Sequence, residues 1–214
     1  MKQSRSFFLL GITGGAGSGK TTVVEKIKQI APVRFLHCDV IAHELMEPGC
    51  SSYQALVQEF GEEILENGII SRVRLSAVAM ATAESRKRLN ELTHPLVRRE
   101  VEARIEALLQ EGFRGIVIIE AALLIEAGYK DLCDELWYIH APLEDRVRRM
   151  RENRGYTEEK IANILAGQLT EEEFRKNADA VIENPDGEEI LQQEILLKQI
   201  TDRLKVHLES LEDM

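Results

Sequence analysis

Between an apolar run, Phe7 to Gly11, and a helical pattern, Val23 to Lys28, lies Gly14-Gly15-Ala16-Gly17-Ser18-Gly19-Lys20-Thr21-Thr22. This stretch satisfies G-x-x-x-x-G-K-[ST] through Gly14, Gly19, Lys20 and Thr21. The strand–loop–helix context around it is the one a phosphate-binding loop needs. Glycines let backbone N–H groups turn inward around phosphate oxygens, and the helix N-terminus favours an anion. The loop therefore predicts nucleoside triphosphate binding by Gly15, Ala16, Gly17, Ser18, Gly19, Lys20, Thr21 and Thr22. Lys20 is expected to reach the β- and γ-phosphates, and the Thr21 hydroxyl to sit on Mg²⁺.

That loop commits the chain to an α/β fold. Apolar runs alternate with helical patterns: Phe7–Ile12 then Thr21–Ile30, and Val33–Cys38 then Val40–Leu45. The alternation predicts a parallel sheet flanked by helices. Tyr53–Phe60 reads as a helix capped by Ser51 or Ser52. From Ser71 to Gln110 the apolar spacing is helical, with a break expected at Thr93-His94-Pro95. This helical insertion is a natural place for a second substrate. Ile116–Glu120 reads as a buried strand, Glu135–His140 as the next, and Ala180–Ile182 as a short last one. Helices are expected over Leu143–Glu152, over Glu158–Ala166 capped by Thr157, and over Glu188–Leu211. The last carries a stripe, Leu191, Ile195, Leu196, Ile200, Leu204, Leu208 and Leu211, that reads as a packing face or an oligomer seam.

With 214 residues the chain is long enough for one well-buried domain with an insertion. Its net charge of −10 argues against a nucleic-acid partner. Three scattered cysteines fit a reducing cytosol, no run is long enough to span a bilayer, and no targeting segment is evident before the first strand. The guanine-reading Asn/Thr-Lys-x-Asp pattern is absent, which argues against a GTPase switch.

Several side chains suggest chemistry. Asp39 follows the second strand and reads equally as the base that accepts a hydroxyl proton or as a helix N-cap. Glu120 ends a strand and reads as a Walker B-like acid that supports Mg²⁺ directly or through water. Arg146, Arg148, Arg149, Arg151 and Arg154 crowd one helix, either as mobile phosphate-closing groups or as partners of Glu144, Asp145 and Glu152. His94 reads as structural or catalytic, and Arg72 could hold a substrate phosphate.

Taken in order, these pieces resemble the dephospho-CoA kinase family. The resemblance rests on Thr13–Thr22, Cys38-Asp39-Val40-Ile41-Ala42, Glu47-Pro48-Gly49, Ile70-Ser71-Arg72 and His94-Pro95-Leu96. It continues through Leu123–Gly128, Gln168 and Ala178–Asn184, and so runs over most of the chain. It implies a P-loop NTPase fold, a three-layer parallel sheet flanked by helices, with a helical substrate-binding insertion and a helical lid. The implied division is a core of residues 1–39, 112–142 and 178–214, a CoA-binding insertion of 40–111, and a lid of 143–177. The implied reaction is ATP-dependent phosphorylation of the ribose 3′-hydroxyl of dephospho-CoA, with ATP and Mg²⁺, in the cytoplasm, by a monomer or weak homo-oligomer. By likeness Asp39 is the base, Arg72 and His94 bind substrate, and Arg149 binds ATP. The chain departs from the family pattern at His37, His43, Ala122 and Asn153. Those departures leave a kinase with another small-molecule or nucleotide acceptor, or a non-catalytic nucleotide-binding regulator, as alternatives.

Overall fold

A computed structural model describes residues 5–120, 124–125, 128–186 and 189–212. The chain divides into two compact units, residues 1–35 with 112–214, and residues 36–111.

The first unit is built on a five-stranded parallel sheet ordered β2-β5-β1-β6-β7. Its strands are β1 (Phe7–Thr13), β2 (Val33–His37, which runs out of this unit), β5 (Gly115–Glu120), β6 (Glu135–His140) and β7 (Ala180–Glu183). Every residue of β1 is buried. It lies at the centre, parallel to β5 through Phe7↔Gly115 to Ile12↔Glu120 and to β6 through Leu10↔Glu135 to Thr13↔Tyr138. A strand covered on both faces is apolar throughout rather than alternating, which is why β1 and β5 are readable as continuous runs.

Helices α1 (Lys20–Ile27) and α9 (Glu189–Glu212) bring Val23, Val24, Ile27, Leu196, Ile200 and Leu204 into one core with Leu10, Ile12, Ile118 and Trp137. The α9 stripe divides. Leu196, Ile200 and Leu204 are fully buried, whereas Leu191 is 54% and Ile195 43% exposed. The side chain of Leu211 lies outside the described residues. Glu135 ties α9 to β6, accepting from Arg203, His207 and the Trp137 indole at 2.7–3.1 Å. Beyond β6 come α6 (Leu143–Arg154), α7 (Glu158–Ala166) and α8 (Glu171–Asn177). Thr157 caps α7, accepting from Lys160 N–H at 3.3 Å. The pattern does not predict α8, yet Thr170 and Glu173 form a full capping box at its start, and Phe174 stacks on Tyr138 at 4.8 Å.

The second unit holds α2 (Cys38–Glu44), α3 (Ser51–Phe60), a hairpin of β3 (Leu65–Glu66) and β4 (Ile69–Ile70), α4 (Arg72–Ala79) and α5 (Ala83–Gln110). Its own core gathers Leu56, Phe60, Ile64, Ile70, Leu75 and Ala79. The hairpin turns through Asn67 and Gly68, both at positive φ (52° and 78°), the geometry Asn-Gly favours.

Three local expectations are corrected. Pro95 lies inside α5 and does not break it. The buried stripe Thr93, Val97, Val101, Ile105 and Leu108 continues at helical spacing past the proline, so packing outweighs one lost N–H. The Thr93 hydroxyl donates to Leu89 C=O at 2.8 Å just before it. The N-cap of α3 is Cys50, not Ser51 or Ser52. Asp39 is the second residue of α2, whose N-cap is His37, so the N-cap reading of Asp39 falls. The family-like segment around Ala122 and Leu123, with Glu126 and Ala127, lies outside the described residues, as does the start of the chain through Ser4.

Candidate active site

The loop between β1 and α1 is shaped by what leans on it. Gly17 has φ 79°, and a Cβ there would stand 2.5 Å from the Arg146 carbonyl oxygen; one on Gly15 would strike the Arg146 guanidinium. Glycine is required here for close approach as well as for conformation. The N-cap of α1 is Gly19, with no side-chain cap, so the first N–H groups of α1 have no side-chain acceptor from their own helix.

Two arginines of α6 grip the loop's outward-facing carbonyls. Arg146 Nε donates to Ala16 C=O at 3.0 Å and its Nη2 to Gln168 Oε1 at 2.6 Å. Arg149 Nη1 donates to Gly17 C=O at 3.0 Å. Its Nη2 donates to Asn184 C=O and to Asp186 Oδ1, both at 2.8 Å. The Asn184 side chain, buried at the end of β7, donates from Nδ2 to Ser18 C=O at 2.9 Å. Asp145 accepts from Asp186 N–H at 2.9 Å and from Arg148 at 3.1 Å, while Arg148 also reaches Asp186. Carbonyls occupied on the outside leave the loop's N–H groups for the inside, the polarity an anion needs.

Lys20 lies folded onto its own loop, donating to Gly14 C=O at 2.8 Å and Gly15 C=O at 3.4 Å. Burial pushes its ammonium below the usual lysine range, partly countered by Glu120 and reinforced by Arg154 and Arg146. Burial also lowers Arg146. Both shifts come chiefly from the removal of a charged group from water.

A cleft of about 720 Å³ opens over these groups, lined by Gly17, Gly19, Lys20, Thr21, Thr22 and Glu120 at one end. Arg148, Arg149, Glu152, Asn153, Arg154, Asn184 to Asp186, Gln192 and Gln193 line the rest. From the expected set the cleft gathers Gly17, Gly19, Lys20, Thr21, Thr22, Glu120 and Arg149, whereas Gly15, Ala16 and Ser18 do not line it. Among the described residues no group of three or more His, Cys, Asp and Glu side chains could hold a metal. Thr21 and Glu120 supply two oxygens, which suits a cation held mainly by substrate phosphates.

Asp39, Arg72 and His94 belong to the other unit. Asp39 is exposed in the first turn of α2, and Arg72 is exposed as the first residue of α4. His94 is half-buried on α5 and lines a cleft of about 520 Å³ with Arg86, Lys87, Asn90 and Glu91; neither Arg72 nor Asp39 lines it. Of the departures, His37 is exposed at the end of β2, His43 is half-buried in α2, and Asn153 lines the larger cleft.

Asn184, Asp145 and Asp186 were not legible as parts of this site from residue type. The Ala178–Asn184 run places Asn184 just past a strand's carboxyl end, which is the signal that was available. No described helix is long and apolar enough to cross a membrane.

A family model described as Dephospho-CoA kinase matches residues 8–189. The Dephospho-CoA kinase of Corynebacterium diphtheriae is 35% identical over 202 residues, 94% of this chain and 99% of that one. That of Geobacter sulfurreducens is 36% identical over 188 residues, 87% of this chain and 94% of that one. Among solved structures, TT1252 from Thermus thermophilus superposes with a TM-score of 0.75 at 29% identity, covering 92% of this chain and 97% of that one. With a phosphate loop of the required shape and a match over most of its length, the chain belongs to the dephospho-CoA kinase family.

Proposed function

We propose that this chain transfers the γ-phosphoryl group of ATP to the ribose 3′-hydroxyl of dephospho-CoA, the last step of coenzyme A synthesis, in the cytoplasm. Family membership carries the activity. The observation within the molecule that best supports it is Lys20, half-buried, lowered in pKa by burial and hydrogen-bonded among the described residues to the Gly14 and Gly15 carbonyls of its own loop, in a cleft it shares with Arg148, Arg149 and Arg154.

In this reading residues 15–22 surround the triphosphate with N–H groups, and Lys20 exchanges the Gly14 and Gly15 carbonyls for β- and γ-phosphate oxygens. Arg149 meets the nucleotide from α6. Thr21 and Glu120 would hold Mg²⁺, which when bound neutralises charge on the phosphate oxygens. Asp39 takes the proton of the attacking 3′-hydroxyl. Aspartate suffices because transfer passes through a loose transition state and depends mainly on positioning. Arg72 and His94 hold the anionic part of the acceptor within the insertion of residues 40–111. Residues 143–177 act as the lid, excluding water that would compete as acceptor. One chain provides all these groups.

The purified protein with ATP, Mg²⁺ and dephospho-CoA is expected to release ADP and coenzyme A one for one. Asp39→Asn should lower turnover by about 10²-fold or more, the range for loss of a positioned base, with ATP affinity kept within about threefold. If dephospho-CoA leaves ADP release at the ATPase background, the acceptor assignment fails. If Asp39→Asn turns over like the parent, the base assignment fails.

A further inference from the structure

We infer that Gln192 and Gln193, near the start of α9, form the nucleobase end of the cleft and set its preference for adenine. This rests on reading the cleft as an ATP site. Its two ends differ in chemistry. Lys20, Thr21 and Glu120 mark the phosphate end. Further along, Arg149 is engaged with Asp186 and the Gly17 carbonyl and Arg148 with Asp145 and Asp186, while Arg154 lies over the Tyr156 ring, 5.9 Å from its centroid. The neutral hydrogen-bonding groups left there are carboxamides. Asn184 is committed to the Ser18 carbonyl, and Asn153 is exposed at the end of α6. Gln192 and Gln193 are half-buried, line the cleft, and have no hydrogen-bond partner among the described residues.

Their position follows from the chain. Asn184 fixes the segment after β7 to the loop's apex at 2.9 Å, and Gln192 lies eight residues beyond it on α9. Pro185 lines the cleft between them and offers an apolar ring face. A neutral, flat base with a donor–acceptor edge matches this end; a phosphate does not. A carboxamide pairs with the adjacent donor and acceptor of adenine, N6–H and N7, whereas guanine presents two acceptors at the same edge. Successive residues point about 100° apart around a helix, so the two amides address different parts of the nucleoside and are not redundant.

The test is calorimetric binding of ATP, GTP and inorganic tripolyphosphate to the full chain without acceptor. Gln192→Leu, Gln193→Leu and the double variant remove the amides but not their bulk. The wild type is expected to prefer ATP over GTP by about tenfold or more, consistent with one good bidentate pair. In the double variant the ratio should fall to about threefold or less, with tripolyphosphate affinity unchanged within about twofold. An unchanged ATP-to-GTP ratio, or a parallel loss of tripolyphosphate binding, overturns the assignment. Should the double variant fail to fold, Gln192→Asn and Gln193→Asn shorten each amide by one methylene. They must lower ATP affinity and spare tripolyphosphate, or the assignment fails. A wild type that binds neither ATP nor tripolyphosphate refutes the cleft as a nucleotide site. One that binds ATP selectively but leaves dephospho-CoA unphosphorylated fails only the acceptor assignment.

Discussion

Replacing Gly17 by alanine tests whether the loop is held in shape by α6. Two costs arise. At φ 79° an L-residue pays about 1–2 kcal/mol for left-handed backbone. The new Cβ would also stand 2.5 Å from the Arg146 carbonyl oxygen, roughly an ångström inside ordinary contact. The obstacle is backbone, so a side-chain rotation cannot relieve it, and α6 must move away. Arg146 and Arg149 reach Ala16 and Gly17 carbonyls at 3.0 Å each. A further ångström takes both beyond hydrogen-bond range. Bonds to charged groups contribute about 1.5–3 kcal/mol each. Long arginine side chains recover part of that loss, so Gly17→Ala should cost about 3–5 kcal/mol in total. The control is Gly112→Ala, at φ 66° with nothing within 4 Å of the added Cβ. It pays the backbone cost alone, about 1–2 kcal/mol. Urea unfolding of both variants, with ATP affinity measured alongside, checks this. Gly17→Ala should also weaken ATP by about tenfold or more, equivalent to 1.4 kcal/mol or more, while Gly112→Ala leaves it unchanged. Equal destabilisation by the two, with ATP affinity intact in both, would refute the reasoning.

Other outcomes follow from the same contacts. Because burial lowers the Lys20 pKa and phosphate anions would raise it again, tripolyphosphate binding at alkaline pH should be accompanied by proton uptake. Calorimetry in buffers of different ionisation enthalpy reads it; proton release, or uptake undiminished in Lys20→Met, contradicts the assignment. For Glu135, burial raises the pKa, but Arg203, Trp137 and His207 outweigh it and hold the carboxylate below its usual range. Its stabilisation is therefore present above the ordinary glutamate pKa and is lost as pH falls through the lowered one. Glu135→Gln should cost about 1–3 kcal/mol at pH 7, with the gap to wild type closing toward pH 3; a gap constant with pH speaks against the ion-pair account. Asn184→Ala removes the bond to the Ser18 carbonyl, so it should destabilise by about 1–3 kcal/mol and weaken tripolyphosphate and ATP alike. Thermal unfolding with a binding titration decides; weakening of ATP alone would move Asn184 from the loop to the base.

The sequence was most legible where burial is complete. The strands β1, β5 and β6 are covered on both faces, so their apolar runs state their own extent. The phosphate loop was equally plain, because its glycines answer to local geometry. Elements stabilised by few residues were passed over. The helix α8 places one aromatic, Phe174, on Tyr138, and β3–β4 is two residues per strand, although the Thr170–Glu173 capping box and the Asn67-Gly68 turn were both readable. Pro95 misled in the opposite sense, since a local breaking rule lost to a packed stripe on both sides of it. The arginines of α6 were visible as a cluster, but not their partners. Arg146 and Arg149 bond backbone carbonyls some 130 positions away, and a main-chain acceptor carries no residue type to recognise. Asp39 shows the same limit at shorter range. Its cap reading fell because the helix starts at Cys38 rather than Val40, a two-residue difference that periodicity does not resolve.

The most direct test of the account is an acceptor competition. With ATP and Mg²⁺ held constant, ADP release is measured for dephospho-CoA against a nucleoside, a nucleotide and a sugar, and the product of dephospho-CoA is mapped by phosphorus NMR. The account predicts that dephospho-CoA has the highest kcat/KM by at least about 100-fold, a margin of 2.7 kcal/mol in transition-state binding, and that the new phosphate sits on the ribose 3′-oxygen. Faster turnover of another acceptor, or phosphate at any other position, would contradict it.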